Sequence, residues 1–288
     1  MAGGIAIERD AFGQPGIWLL TLTHPGKFNA MSRSMWAELR EVFTAVQQDP
    51  GARCVLLQGD QGHFCAGGDI AEYPSFRFDE AKLRHFHEVE VWGGLQAMLD
   101  CDVPIVVRVE GNCMGAGMEI ASCCDLRLAA DSARFGAPIA RLGFPMAPWE
   151  AALVGEAAGP IVARAMLLAA EVFDAAAMLG HGFLTRVHTP GTLGDACREV
   201  AVRIAGLAPQ AARANKRTLR AIRTFQALNK PSAPAQYAQS APEIIANDAS
   251  GADCSAHAHT YAQAYAYADS AEHREGITAF LAKRAPVF

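Results

Sequence analysis

"GNCMGAGMEIASCCDL", residues 111–126, has three glycines and an alanine within its first seven positions and then one acid, Glu119, in an apolar segment. The segment after the glycines predicts a helix, so Glu119 falls near the N-terminus of that helix. Backbone N–H groups of such a turn, aided by the helix dipole, suit an oxygen atom that gains negative charge during a reaction. The pattern favours a catalytic acid beside a pocket of backbone donors over a surface helix that merely begins with glutamate.

A second stretch, HFCAGGDIAEY (63–73), has glycines between an apolar run and a helix start. Glycine lets a backbone approach a ligand closely because it has no side chain. One N–H from each loop, meeting at one point, would form an oxyanion hole for a species such as a thioester enolate. The two loops therefore predict an oxyanion hole, and a thioester enolate is one species that it would suit. A nucleotide-binding oxidoreductase is excluded because Gly111, Gly115 and Gly117 do not fit the GxGxxG spacing.

Strands and helices alternate over the first two-thirds of the chain, which predicts an α/β fold with sites at the carboxyl ends of strands. The predicted strands are 16–24, 53–59, 104–111 and 125–130. Capping residues and apolar periodicity predict helices at 32–49 and 79–99. The alanine-rich remainder predicts helices at 161–169, 174–180, 192–206, 209–228, 234–247 and 255–283, with a linker at 229–236.

The 288-residue chain is 51% hydrophobic, which suffices for a buried core, and its net charge of -5 argues against nucleic acid as a partner. The sequence begins without a secretory signal, and no apolar run reaches the about 18 residues of a membrane span. The cysteines, including Cys65 and Cys113 beside the loops, lie in apolar surroundings without a CxxC pair. They are expected to be reduced apolar fillers in a cytoplasmic protein. His257 and His259 give only a weak metal signal, so no metal site is predicted.

The two loops closely resemble the signature loops of the crotonase (enoyl-CoA hydratase/isomerase) superfamily. The stretches that carry the resemblance are FCAGGDI (64–70) and VEGNCMGAGMEIASCCDLRLAA (109–130). Further matches follow in the same order as in the family, at residues 24–39, 133–144 and 273–288. The resemblance thus spans nearly the whole chain.

Membership would imply an α/β fold, a crotonase-type spiral of ββα units followed by a C-terminal helical trimerisation region. On this chain the resemblance implies a core at 1–205 and a helical region at 206–288. It also implies homotrimers or hexamers. The implied substrates are acyl-CoA thioesters of fatty acid metabolism, with coenzyme A as part of the substrate and no separate cofactor.

The resemblance also implies roles for individual residues. The two oxyanion-hole donors fall on the backbone N–H groups of Gly68 and Ala116, and the catalytic acid falls on Glu119. The implied substrate-binding positions are Lys27, Ala66, Asp69, Ile70, Ile139, Phe280 and Lys283. The sequence around Asp69 separately predicts that this residue caps the helix after the first loop.

The chain departs from the family pattern where hydratases carry a second glutamate that helps to hold and activate water. This sequence has Ile139 there, so one carboxylate is left in a drier site and hydration is expected to be slow. The family's PGGGTQRL run is also replaced, by PMAPWEAAL (145–153). Glu150 in that run is either a substitute acid or, as we favour, a solvated residue in the first turn of a helix.

The resulting prediction is a lyase or isomerase of the hydratase/isomerase type that hydrates or isomerises 2-enoyl-CoA, with Glu119 as general acid and base. Because the second glutamate is missing, other enolate chemistry stays open: decarboxylation, thioester cleavage or C–C cleavage of an acyl-CoA. A third possibility is a non-catalytic acyl-CoA-binding member of the fold. Glu119 argues against it, because a buried ionisable group without a task costs stability.

Overall fold

The strands form two sheets in the computed structural model, which describes residues 2–228 and 263–288. The larger sheet has, in spatial order, β1 (Gly4–Arg9), β2 (Ile17–Thr23), β3 (Cys54–Gly59), β4 (Ile105–Val109), β6 (Leu126–Ala130) and β9 (Arg186–His188). The smaller sheet has β5 (Asn112–Met114), β7 (Arg134–Gly136) and β8 (Val172–Asp174). In the larger sheet only β1 and β2 pair antiparallel. The four predicted strands are confirmed as β2, β3, β4 and β6.

Capping and periodicity locate the helices between these strands. Helix α1 (Arg33–Gln48) begins after Ser32, whose side chain accepts a hydrogen bond from the N–H of Met35, as predicted. The predicted helix at 79–99 consists of α2 (Glu80–His85), a π-helical turn at Phe86–Val91, and α3 (Trp92–Asp100). The other described helices are α4 (Ala116–Ser122), α5 (Pro148–Ala158), α6 (Pro160–Leu168), α7 (Ala175–Gly180), α8 (Pro190–Ala205), α9 (Pro209–Leu228) and α10 (Ala271–Leu281).

Both faces of the larger sheet are buried, because successive residues of a strand point to opposite sides. In β3, Cys54 and Leu56 belong to the apolar cluster that includes residues of α8. Their neighbours Val55 and Leu57 belong to the main core, with residues of α1 and α3. A strand of a parallel sheet that is covered on both faces has a continuous run of apolar residues. This pattern is how β3 could be recognised in the sequence.

The C-terminal part differs from the prediction. The predicted helix at 255–283 is wrong over 263–270, where the chain forms a turn and then an extended residue; α10 begins only at Ala271. Ser270 starts α10, because its side chain accepts a hydrogen bond from the N–H of His273. The helix at 234–247, the linker at 229–236 and positions 255–262 of the predicted helix at 255–283 lie outside the described residues. The boundary between 205 and 206 falls at the end of α8 and stays a prediction.

Helix α10 packs against the turn that follows a short 3₁₀ helix, Ile139–Leu142. The approach is so close that a Cβ atom at Gly276 would lie 2.1 Å from the carbonyl oxygen of Leu142. This C-terminal helix is therefore held against its own chain at a position where only glycine fits.

We expect Gly276→Ala to lower the free energy of unfolding by on the order of 1–2 kcal/mol, because overpacking against the backbone outweighs the better helix propensity of alanine. The matched control is Gly155→Ala in α5, where the new Cβ would lie 3.8 Å from the Cβ of Ala163. The free energy of unfolding of that variant should rise by about 0.5–1 kcal/mol, because glycine within a helix is less stable than alanine. Urea unfolding of both variants measures the difference, and equal stabilisation by the two substitutions would contradict the close contact.

Candidate active site

The two glycine-bearing loops lie side by side because their backbones are hydrogen bonded. The N–H of Cys65 donates to the carbonyl oxygen of Asn112 at 2.8 Å, and the N–H of Met114 donates to the carbonyl oxygen of Cys65 at 2.9 Å. These two bonds form a parallel bridge between Cys65 and Cys113. The loops that the sequence singled out separately are thus one structural unit.

A second parallel bridge, between Met31 and Gly68, fixes the first loop. The N–H of Met31 donates to the carbonyl oxygen of Gly67, and the N–H of Asp69 donates to the carbonyl oxygen of Met31, each at 2.8 Å. These two bonds are made by Gly67 and Asp69, the residues on either side of Gly68. Its own N–H therefore has no protein acceptor among the residues that the structure describes.

The second loop presents its free N–H at the start of α4. Gly115 precedes the helix with a φ of 47°, in the left-handed region that glycine tolerates best. Ala116 is the first helical residue, and N–H groups of a first helical turn have no acceptor within the helix. A Cβ atom on Gly115 would lie 3.6 Å from the Cα of Gly67, so the two loops are in contact next to these donors.

Glu119 is partly accessible, and Glu150 is only 2% exposed. Burial raises the pKa of Glu119 well above its usual value, and the negative charge of Glu150 raises this pKa further, whereas Arg77 lowers it. Burial also raises the pKa of Glu150, while its own backbone N–H and the positive charge of Arg77 lower it. The two carboxyl groups are therefore close enough for the protonation of one to depend on the other.

Our interpretation of Glu150 as a solvated helix residue is wrong. Helix α5 begins at Pro148, and its first turn faces the protein: the ring of Trp149 packs 5.2 Å from that of Trp92, measured between centroids. Glu150 also forms a hydrogen bond to Nδ1 of His87 at 2.9 Å. First-turn acids are usually solvated, and only the packing of α5 places this one inside.

Arg77, whose charge lowers the pKa of both acids, was missed in the sequence. Its side chain is buried, with its guanidinium carbon 4.4 Å from the ring centroid of Tyr73 and 4.1 Å from that of Phe144. It donates to His87, His273 and Tyr267, at 3.4, 3.3 and 3.4 Å respectively. A single arginine in the stretch SFRFDE looks like a surface residue. The phenylalanines on both sides were the one signal of burial.

Asp69 caps the 3₁₀ helix Ile70–Ser75, because its side chain accepts a hydrogen bond from the N–H of Ala71 at 3.2 Å. The predicted capping role is therefore confirmed. Asp69 also forms an ion pair with Lys27, whose side chain is exposed. The prediction that Cys65 and Cys113 are apolar fillers is also confirmed: both are fully buried, and burial raises the pKa of the Cys65 thiol to about 12.

The remaining predicted positions fall into two groups. Ile70 and Ile139 are half-buried and pack against the main core, and Ala66 donates its N–H to the carbonyl oxygen of Phe28 in the first loop. Phe280 and Lys283, in contrast, are exposed at the end of α10, and the N–H of Lys283 donates to the carbonyl oxygen of Phe280. The described contacts do not bring these two side chains to the loops.

Within residues 2–228 and 263–288, no cluster of three histidine, cysteine or acidic side chains has the arrangement needed to hold a metal ion. His257 and His259 lie outside these ranges. No helix in the described part of the chain combines the length and the apolar character needed to cross a membrane.

Comparison with known proteins decides the family. The enoyl-CoA hydratase/isomerase family model matches residues 13–288. The chain belongs to the enoyl-CoA hydratase/isomerase family. It is 32% identical over 204 residues to the probable enoyl-CoA hydratase echA14 of Mycobacterium tuberculosis, covering 70% of this chain and 77% of the relative. It is 29% identical over 199 residues to a crotonyl-CoA hydratase of Syntrophomonas wolfei, covering 69% and 75%.

Solved structures of this hydratase/isomerase family confirm the predicted fold class. A crystal structure of an enoyl-CoA hydratase/carnithine racemase from Magnetospirillum magneticum superposes with a TM-score of 0.71 at 29% identity. The superposition covers 99% of this chain and 94% of the other. The α/β core with its C-terminal helix is thus the crotonase fold.

We expect Glu150→Gln to change how the stability of this family member depends on pH. A carboxyl group whose pKa is raised on folding contributes stability below its unfolded pKa and loses it as pH rises through the folded pKa. Because burial raises the pKa of Glu150 to about 8, the free energy of unfolding of the wild type should fall by on the order of 1–3 kcal/mol relative to that of the variant between about pH 5 and about pH 8. Thermal unfolding at several pH values tests this, with the exposed Glu8→Gln as control. Parallel curves for wild type and Glu150→Gln would contradict the burial.

Proposed function

We propose that the protein adds water to the double bond of a 2-enoyl-CoA and forms a 3-hydroxyacyl-CoA. The observation that carries this proposal is the pair of acids, Glu119 and Glu150, next to two loops with free backbone N–H groups. Hydration needs one group that takes a proton from water and one that gives a proton to the α-carbon. Two acids that titrate together supply both roles.

In the proposed mechanism, the thioester oxygen accepts hydrogen bonds from the N–H groups of Gly68 and Ala116. These donors stabilise the negative charge that develops on this oxygen when the double bond is attacked. They need not reorganise during the reaction, because the bridges to Met31 and Cys113 hold the loops in place. Each such donor is typically worth about 3–4 kcal/mol in the transition state.

The proton transfers are assigned to the acid pair. The ionised member accepts a proton from water while the water oxygen bonds to C3 of the enoyl group. The electron pair of the C2–C3 double bond moves onto C2 and the thioester oxygen, and the protonated member then delivers a proton to C2. One carboxylate and one carboxylic acid exchange states, so the pair again holds one proton when the product leaves.

The composition of the site supports catalysis over mere binding of an acyl-CoA. Holding two mutually repelling acids next to each other, one of them buried, costs stability, and a binding protein would have no use for them. The names of the enoyl-CoA hydratase and crotonyl-CoA hydratase relatives support hydration among the possible enolate reactions. The presence of Glu150 also removes the reason for expecting slow turnover, which rested on Ile139 alone.

The other family expectations are part of this proposal. Lys27, Ala66, Asp69, Ile70 and Ile139 are proposed to line the substrate, and coenzyme A enters as part of that substrate. A homotrimer or hexamer is proposed as the assembly. The exposed apolar side chains Ile161, Leu168 and Leu179 on α6 and α7 support an interface on that side of the molecule.

We expect Glu119→Gln to lower kcat for crotonyl-CoA hydration by about 10²–10⁴, because the variant cannot exchange a proton. The dissociation constant of a saturated acyl-CoA should change by less than about threefold, since the donors are intact. Loss of the conjugated absorbance measures the rate, and mass spectrometry checks the addition of one water. Glu8→Gln on β1 is the matched control.

Unchanged turnover in Glu119→Gln would remove this residue from the mechanism. A product with the mass of the substrate but a moved double bond would replace hydration by isomerisation. If neither reaction occurs, exchange of the α-proton of a bound acyl-CoA in deuterated buffer would indicate other enolate chemistry. No exchange at all would indicate a non-catalytic binding protein.

A further inference from the structure

We propose that Arg77 is a positioning residue, which rests on the proposed function: through His87 it orients Glu150, and its charge favours the ionised form of the Glu119–Glu150 pair. The C-terminal segment takes part, because Tyr267 and His273 hold the guanidinium in place. The sequence gives Arg77 no role, and its only described contact with the two glycine-bearing stretches is with Tyr73, the last residue of the first stretch.

The first observation is a buried cation without a close counter-ion. Arg77 is 1% exposed, and its described hydrogen-bond acceptors are all neutral: two imidazole nitrogens and one phenol oxygen. No carboxylate lies within ion-pair distance of Arg77 among the residues that the structure covers. Buried charges are ordinarily paired. The negative charges that this cation influences are those of Glu119 and Glu150, and His87 connects it to Glu150.

The second observation is the direction of the hydrogen bonds. A guanidinium can only donate, so Nε2 of both His87 and His273 must accept from Arg77. Each histidine therefore carries its proton on Nδ1. His87 donates that proton to Oε1 of Glu150 at 2.9 Å, and His273 donates to the carbonyl oxygen of Ala268 at 2.9 Å. Arg77 thus fixes the tautomer of the residue that orients Glu150.

The electrostatic effects on the histidines agree with this assignment. Burial lowers the pKa of His87 well below its usual value, and the charge of Arg77 lowers it further. Burial lowers the pKa of His273 to about 4. Both rings are therefore neutral near neutral pH, and His87 orients the acid pair without adding a charge.

Several other titratable groups face the acid pair from the surrounding elements. Those with an electrostatic influence on it, or under its influence, are Cys65, Tyr73, Arg77, Glu88, Tyr265 and Tyr267. Glu88 raises the pKa of Glu150, and Arg77 is the one cation of this set. Burial raises the pKa of both acids even with Arg77 in place, to about 8 for Glu150, and the loss of Arg77 would raise both pKa values further. The pair would then hold less often the base that accepts a proton from water.

The contribution of the C-terminal segment follows from its contacts with Arg77. Tyr267 lies in the turn before α10 and His273 in its first turn, and the ring of His273 also packs 5.4 Å from that of Phe144, between centroids. Residues nearly 200 positions apart, 196 in the case of Arg77 and His273, therefore meet at the guanidinium of Arg77. The packing of α10 therefore affects the position of the Arg77 side chain, and through it the ionisation of the two acids.

The test compares Arg77→Met and Arg77→Lys in full-length protein. In Arg77→Met, the acidic limb of kcat against pH should move to higher pH by about one unit or more, because the pair loses the charge that favours its ionised form. KM should change by less than about threefold. Arg77→Lys should move the limb back toward the wild-type position, because the ammonium keeps the charge.

The control is Arg213→Met, which removes another buried guanidinium, one that donates to the carbonyl oxygens of Asp49 and Ala52. Its pH profile should match that of the wild type. An Arg77→Met profile lowered equally at all pH values, with its limb unmoved, would show a merely structural role and overturn the proposal. If Arg77→Met does not fold, Tyr267→Phe gives the milder test, with a smaller shift in the same direction expected and an unmoved limb counting against the proposal.

A second measurement separates this proposal from the proposed function. Glutamate labelled with ¹³C in the side-chain carboxyl reports the titration of the pair by NMR without any turnover, with signals assigned from Glu119→Gln and Glu150→Gln. An upward shift of the titration midpoint in Arg77→Met would support the role of Arg77 even in a protein that hydrates no enoyl-CoA. Unchanged midpoints would overturn it even if hydration is confirmed.

Discussion

The backbone bridge between Cys65 and Cys113 is the constraint on which the site depends. Its two hydrogen bonds fix the register of the loops, and the register decides which N–H groups stay free. Gly117 shows how tightly the loops are held, because a Cβ atom there would lie 2.7 Å from the carbonyl oxygen of Cys65. The bridge also positions the start of α4, and with it the acid one turn further along the helix. The geometry of the site is thus set by main-chain atoms, and side chains enter only where a proton must move.

A second constraint is the exclusion of water from the region behind the loops. Removing water strengthens the interaction between any two charges, so the arrangement of Arg77, Glu119 and Glu150 matters far more than it would at the surface. The aromatic rings of Tyr73 and Phe144 enclose the guanidinium. They let the cation stay buried without a carboxylate in direct contact, which would have neutralised it. The charge remains available to the acids because its own neighbours are neutral.

Much of the fold could be predicted from the sequence, because the signals were local. Four of the six strands of the larger sheet, β2, β3, β4 and β6, are apolar runs, whereas β1 and β9 are more exposed and were not predicted. Ser32 and Asp69 are capping residues whose partners lie two or three positions away. The site was predicted only in part. Glu119 and the loops follow from a motif, whereas the burial of Glu150 depends on how α5 packs against the rest of the chain. Arg77 depends on partners as far away as His273, and no local pattern carries that information. The end of the turn before α10 was missed because Ser270 was not considered as a cap.

The π-helical turn at Phe86–Val91 has a consequence for how this region can vary. A π-helical turn holds one more residue than an α-helical turn. The extra residue changes the direction in which the side chains of the following helix point. Removing a single residue there would rotate the flanking segments against each other by about 100°, the angle between successive residues of an α-helix. His87 would then point away from α5. Residues of Phe86–Val91 can be substituted where the packing allows it. The number of residues in this turn cannot change without misplacing His87.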